Sequence, residues 1–250
     1  MSDVVAAAAE LARARREGIT LPGLPDAMKP ATLQEAEEVQ IATLAETGET
    51  IGGWKVGRNG PHLFTAPMPV IVASGDDGTT VTLPAGAGVE LEIALVFRQT
   101  VPASDFTVPG LPESADLAVL FELCVSRFGT AQVTPFERIA DCASNHSALV
   151  RAFPRSWTLA ELERPGDTRL LQDGVEIAHH ARRHPSMPLT ELLEGWAARI
   201  RHEDRTIWGG EVVTLGSLVG MIPVPAGGAE YVGTIAGLGT LRCRVTTPRA

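Results

Sequence analysis

The stretch GVELEIALVF, residues 88–97, decides how this chain is read. It is apolar and rich in strand-forming residues, yet two glutamates interrupt it. In a strand, residues i and i+2 point to the same face. Glu90 and Glu92 therefore project side by side, and Val89, Leu91 and Ile93 face the other way. Two buried carboxylates this close repel unless one holds a proton or a cation sits between them. A hard divalent cation with oxygen ligands meets that need. A third acid in a similar setting, Glu122 within AVLFELCVSRF, brings the set to three carboxylates on two strands. The alternative is a solvated sheet face. Against it, that face continues as Ala94 and Val96, which are not polar.

Upstream, GGWKVG carries Lys55, the only lysine after Lys29. Burial can bring a lysine into general acid/base range, whereas arginine stays charged. The flanking Gly53 and Gly57 permit close backbone approach. A lysine at an exposed strand end is the competing reading.

The 250-residue chain suits one large domain or a domain with a small appendage. Its 44% hydrophobic content is that of a globular protein. A net charge of −9 argues against a nucleic-acid partner, whose phosphates need a basic surface. The three cysteines, Cys124, Cys142 and Cys243, are widely spaced, as expected for reduced thiols in a cytoplasm. The N-terminus does not read as a secretory signal. No stretch approaches the roughly 20 apolar residues of a membrane span. The expectation is a soluble cytoplasmic protein with no membrane partner.

Residues 2–17 read as a helix stopped by Gly18. Thr32 to Glu35 spells a capping box opening a second helix that ends near Gly48. From Ile51 the texture is of short strands and turns. A stretch at 134–153 reads as loop with helical pieces. LLQDGVEIAH reads as a hairpin turning at Asp173-Gly174. PLTELLEGWAARIRHE reads as an amphipathic helix with Leu189, Leu192, Leu193, Trp196 and Ile200 on one side. The expected class is α+β: an N-terminal helical segment, 1–50, then a mixed, mostly β rolled-sheet body, 51–250.

Taken in order, TLQEAEEVQ, GGWKVG, VELEIALVF, FELCVSRF, DCASNHSALV, HPSMPLTELLEGWAARI and GGEVVTLGSLVGMIPV resemble the fumarylacetoacetate hydrolase superfamily. The branch they resemble is that of the 2-keto-4-pentenoate hydratases and 2-oxo-acid decarboxylases. The resemblance implies a site at the mouth of a rolled sheet. It implies Glu90, Glu92 and Glu122 as ligands of Mg²⁺ or Mn²⁺, and Lys55 as general acid/base. Ser144, Asn145 and Ser217 would lie near the substrate. It further implies a homo-oligomer and a small 2-oxo acid substrate. A complex with another enzyme of the pathway is an additional expectation. The implied reaction is hydration of a 2-hydroxy-2,4-dienoate. Decarboxylation of a 2-oxo diacid, C–C hydrolysis of an acylpyruvate, and a noncatalytic binding or assembly role are the alternatives.

Several positions depart from that pattern. The segment 58–68 reads as a shortened loop, with His62 in place of an acid and so a second catalytic candidate. Val125 replaces an aspartate, and Cys142 an asparagine. The trio His179, His180 and His184, beside Arg182 and Arg183, reads as a solvated surface turn. No phosphate loop, dinucleotide fingerprint or nucleophile elbow is present.

Overall fold

A computed structural model describes residues 2–73, 78–180, 184, 186 and 188–248. The helices are α1 (Val4–Glu17), α2 (Leu33–Thr47), α3 (Leu111–Ser114), α4 (Pro135–Ala140), α5 (Leu159–Glu163) and α6 (Leu189–His202). The early strands are β1 (Gly53–Asn59), β2 (His62–Met68), β3 (Val70–Val72), β4 (Thr79–Thr82), β5 (Gly88–Phe97), β6 (Ala115–Cys124) and β7 (Asn145–Ala152). The later ones are β8 (Thr168–Gln172), β9 (Val175–His180), β10 (Val212–Thr214), β11 (Ile222–Pro223), β12 (Ala229–Ile235) and β13 (Gly239–Thr246).

The larger sheet runs β2-β1-β10-β5-β6-β7-β3, with β11 also on β5. Its two edge strands, β2 and β3, are separated by Pro69 alone. Proline has no N–H to give a ladder, so the strand bends there and changes partner. The Pro69 carbonyl accepts from Ala148 N of β7 at 2.8 Å. The sheet therefore closes into a barrel. A separate five-stranded sheet, β4-β13-β12-β8-β9, packs against its outside.

Closure explains why β5 and β6 lack the usual polar-out alternation. Outward-facing Val89, Leu91, Ile93 and Leu95 pack with Tyr231, Ile235 and Leu241 of the second sheet and Trp196 of α6. Inward-facing Ala94, Ala118, Leu120, Ala148, Val150 and Val212 fill the barrel with Met68. Both faces are buried, and each buried leucine or valine contributes about 1.5–3 kcal/mol.

Helix α1 is capped by Asp3, which accepts from Ala6 N, and ends at left-handed Gly18. In α2, Thr32 accepts from Glu35 N. Glu35 does not complete the capping box; its carboxylate accepts from Ala31 N and Ser2 N instead. Helix α2 covers the free edge of β2. Gln40 Nε2 donates to Thr65 O at 3.2 Å, and Thr65 N donates to Glu37 Oε1 at 3.0 Å. Arg199 of α6 clamps the same Glu37 through two bonds of 2.6 Å. No described helix is long and apolar enough to cross a membrane.

The hairpin at Asp173-Gly174 forms with φ of 48° and 81°, the positive pair a type I′ turn demands. Two local expectations are corrected. The segment 58–68 is a tight hairpin of β1 and β2, with Asn59 opposite His62. Residues 145–152 are a strand; Asn, His and Ala are weak strand formers, and pairing with β6 overrides them.

Candidate active site

The barrel register converges charge at one end. Lys55 of β1 lies beside Thr214 of β10, which lies beside Ala94 of β5. Glu90 of β5 stands directly opposite Glu122 of β6. Glu92 and Glu122 are fully buried, while the side chains of Lys55 and Glu90 keep 14% and 16% exposure. The charged end is thus the barrel mouth.

Lys55 Nζ lies 2.8 Å from Glu122 Oε2 and 3.9 Å from Glu90 Oε2. The nearer contact is an ion pair outside hydrogen-bond geometry, since Glu122 Oε2 makes no hydrogen bond. Burial alone would lower the Lys55 pKa. The carboxylates of Glu122, Glu92 and Glu90 outweigh it and hold the ammonium above the usual lysine range. Burial, then the charge of Glu122, pushes the Glu92 carboxyl well above its ordinary value despite Lys55. Burial also raises Glu90, against the pull of Lys55. One lysine does not balance three carboxylates, so a proton on Glu90 or Glu92 or an added cation is favoured at this end.

Each acid is oriented by its own neighbours. Thr214 Oγ1 donates to Glu92 Oε2, and Gly216 N donates to the same oxygen at 3.3 Å. Asn145 Nδ2 donates to Glu122 Oε1 at 3.1 Å. Glu92 Oε1, Glu122 Oε2, Asn145 Oδ1 and Ser217 Oγ are buried without a hydrogen-bond partner. Buried oxygens left open in this way are what a cation or a polar ligand would satisfy.

A strained loop delivers Asn145. Cys142, Ala143 and Ser144 have φ of 50°, 49° and 68°, left-handed conformations that cost roughly 1–2 kcal/mol each. Two buried arginines hold the loop. Arg127 pairs with Asp141 and donates to Asn145 O at 3.0 Å. Arg15 of α1 pairs with Glu49 and donates to Asn145 O at 2.9 Å and to His146 O.

The structure therefore brings together Lys55, Glu90, Glu92, Glu122 and Asn145, with Ser217 next to Gly216. Ser144 lies on the strained loop. His62 is placed apart: it is exposed at the hairpin, its ring 5.5 Å from that of Phe136. It sits four residues along β2 from Ala66, the partner of Lys55, about 13 Å at the usual strand rise. The histidine trio is corrected in part. His184 is buried, and its Nδ1 accepts from Ser186 N at 3.1 Å; Arg182 and Arg183 lie outside the described residues. Sequence reasoning missed Thr214 and Cys124, which reach the site through strand register, and Gly216, which follows β10 and reaches it through its backbone N–H.

A cavity of about 380 Å³ lies beside Arg58, Ser186, Pro188, Glu191 and Leu192. Of its lining, Ser186 is tied to the segment that carries Gly216, its Oγ donating to Leu215 O at 3.1 Å.

No protein-family model and no curated protein gives a significant match to the sequence. Solved structures do match. A 4-oxalocrotonate decarboxylase from Pseudomonas putida G7, complexed with magnesium and adipate, matches over 97% of both chains with TM-score 0.72 at 19% identity. A putative fumarylacetoacetate hydrolase family protein from Yersinia pestis CO92 matches 77% of this chain and 91% of that one, with TM-score 0.54 at 18% identity. A maleylpyruvate hydrolase from Sphingobium sp. SYK-6, in complex with manganese (II) and pyruvate, covers 78% and 71%, with TM-score 0.52 at 13% identity. Barrel, second sheet and helices together share the fold of these solved structures, a 4-oxalocrotonate decarboxylase, a maleylpyruvate hydrolase and a putative fumarylacetoacetate hydrolase family protein.

Proposed function

We propose that this chain is a divalent-metal-dependent lyase acting on a small 2-oxo or 2-hydroxydienoic acid. The observation that carries the reading is the group of three carboxylates at the barrel mouth, faced by a single lysine that pairs with Glu122, with a buried oxygen of Glu92 left without a hydrogen bond. Glu90, Glu92 and Glu122 would hold Mg²⁺ or Mn²⁺. A cation there supplies a Lewis acid that stabilises negative charge developing on the substrate's 2-oxo oxygen. The solved relatives in complex with magnesium and with manganese and pyruvate support this.

The chain's own residues have distinct work. Lys55 Nζ holds a proton at the wall of the site, as its carboxylate surroundings require. Asn145 orients Glu122, and Thr214 and Gly216 orient Glu92. In hydration of a 2-hydroxy-2,4-dienoate, the 2-hydroxyl loses its proton and C5 gains one. Water then gives hydroxide to C4 and a proton to C3. We assign the Lys55 ammonium as the donor to C5; the amine so formed takes the 2-hydroxyl proton, which restores the ammonium.

Decarboxylation of a 2-oxo diacid is the second reading, supported by the match to a decarboxylase over 97% of both chains. Both reactions pass through the same enol, so one experiment tests their shared basis. Metal-stripped protein is titrated with Mg²⁺ and Mn²⁺, with and without oxalate, beside Glu90→Gln/Glu92→Gln. Exchange of C3 hydrogens of 2-oxo acids is followed in D₂O. The expected result is metal binding tightened by oxalate, with metal-dependent exchange lowered about 10²- to 10⁴-fold in Lys55→Met. Absence of both binding and exchange in the wild type would overturn the reading in favour of a noncatalytic role.

A further inference from the structure

Cys124 places a thiol inside this group of carboxylates. It lies two residues beyond Glu122 on β6 and so faces the same barrel interior. Its register partner on β5 is Gly88, so no side chain stands opposite the thiol on that strand. One oxygen of Glu90, one of Glu122 and the Cys124 Sγ lie within 4.8 Å of one another. Glu122 Oε2 is fully buried and carries no hydrogen bond, its contact being the Lys55 ammonium at 2.8 Å, while Asn145 Oδ1 and Glu92 Oε1 beside it are buried without any hydrogen-bond partner. A second sulfur borders the spot: a Cβ at Gly88 would meet Met221 Cγ at 2.6 Å and Sδ at 2.9 Å. Glu92 and Glu122 are each held through one oxygen, Glu92 by Thr214 and Gly216 and Glu122 by Asn145.

We infer that Cys124 Sγ is a ligand of the cation held at the barrel mouth, together with Glu90 and Glu122. The inference rests on the metal-dependent reading above and deepens it. Mg²⁺ takes oxygen ligands almost exclusively, whereas a thiolate shifts preference toward Zn²⁺ and Co²⁺. On binding, the thiol proton is released to solvent and sulfur donates to the metal. The site is then one for a borderline-soft divalent ion, and Mg²⁺ occupies it through the carboxylates alone.

The test uses Co²⁺ as an optical probe on the metal-stripped full chain, with Mg²⁺ as competitor. The wild type is expected to show an intense near-ultraviolet sulfur-to-cobalt band, and Cys243→Ser retains it. Cys124→Ser is expected to lose the band and to bind Co²⁺ and Zn²⁺ about 100-fold more weakly, with Mg²⁺ affinity changed by less than about threefold. Cys124→Ala provides the same loss without a hydroxyl, and circular dichroism verifies that both variants fold. Co²⁺ binding that Mg²⁺ displaces, without any sulfur band, overturns the inference and leaves the metal-dependent reading standing. A band that survives Cys124→Ser also overturns it. Failure of every ion to bind sinks both.

Discussion

Two buried charge clusters sit within a few residues of each other in this molecule, and they are built on opposite principles. In one, Arg127 faces Asp141, and nearly every polar atom is used. The guanidinium pairs with the carboxylate and donates to Asp141 O at 2.6 Å, and Arg127 N donates to Asp141 Oδ2 at 2.9 Å. Only Arg127 Nη1 is left over. In the other, three glutamates share one lysine, and two carboxylate oxygens have no hydrogen bond. A buried charge pair costs desolvation energy and persists when its partners are satisfied. The saturated cluster holds a loop in place. The unsaturated one is open to an incoming charge.

Breaking the saturated cluster has the largest expected effect. Asp141→Ala leaves a buried guanidinium without its counter-charge and is expected to cost about 3–5 kcal/mol in urea unfolding. A loss below about 1 kcal/mol would show that the pair is not what fixes the loop. The open cluster should behave in the opposite way. Glu92→Gln keeps an oxygen for Thr214 and Gly216 and removes one of the repelling charges. Its metal-free stability is expected to equal or exceed that of the wild type. Saturating metal at 100 times Kd should add about 2.7 kcal/mol to the wild type and almost nothing to the variant. Paired thermal melts with chelator and with Mg²⁺ read both signs.

A third buried titratable group, His184, sharpens the contrast because no counter-charge faces it among the described residues. Burial, assisted by nearby His180, lowers its pKa to about 4. The unfolded chain takes up this proton near 6.5, the folded chain only near 4. The stability it contributes is complete above 6.5, falls as pH drops through that window and is gone below 4. His184→Gln should remove on the order of 2–3 kcal/mol of that pH dependence, read from urea midpoints at pH 7 and pH 4.5. An unchanged slope would mean that His184 takes up its proton in the fold. The smallest effect is expected from Thr214→Val, which deprives Glu92 of a hydroxyl donor. About a tenfold loss of metal affinity by calorimetry is the expected outcome, and no change would remove Thr214 from the site.

How much of this was legible beforehand differs by element. The long helices and the Asp173-Gly174 hairpin were legible because caps, apolar periodicity and turn residues are local signals. Strand β7 was not, because NHSALVRA carries no strand signal of its own and is held by pairing to β6. The hairpin in 58–68 reads as a shortened loop when set beside the pattern the chain resembles, whereas Gly60 and Pro61 form the turn between two paired strands. His184 was placed at the surface because its neighbours in sequence are polar, while its neighbours in space bury it.

The same division governs the site. That Glu90 and Glu92 share a face follows from the two-residue period of any strand, and Lys55 stands out because no lysine follows it. Those facts the chain carries by itself. That this face is the inside of a barrel was decided by closure at Pro69, which burial of both sheet faces enforces. That Glu122 stands opposite Glu90, Thr214 beside Lys55 and Asn145 opposite Cys124 was decided by register between strands far apart in sequence. Periodicity is a property of neighbours along the chain. Register is set by which long-range pairing buries the most apolar surface, and only the folded molecule resolves it.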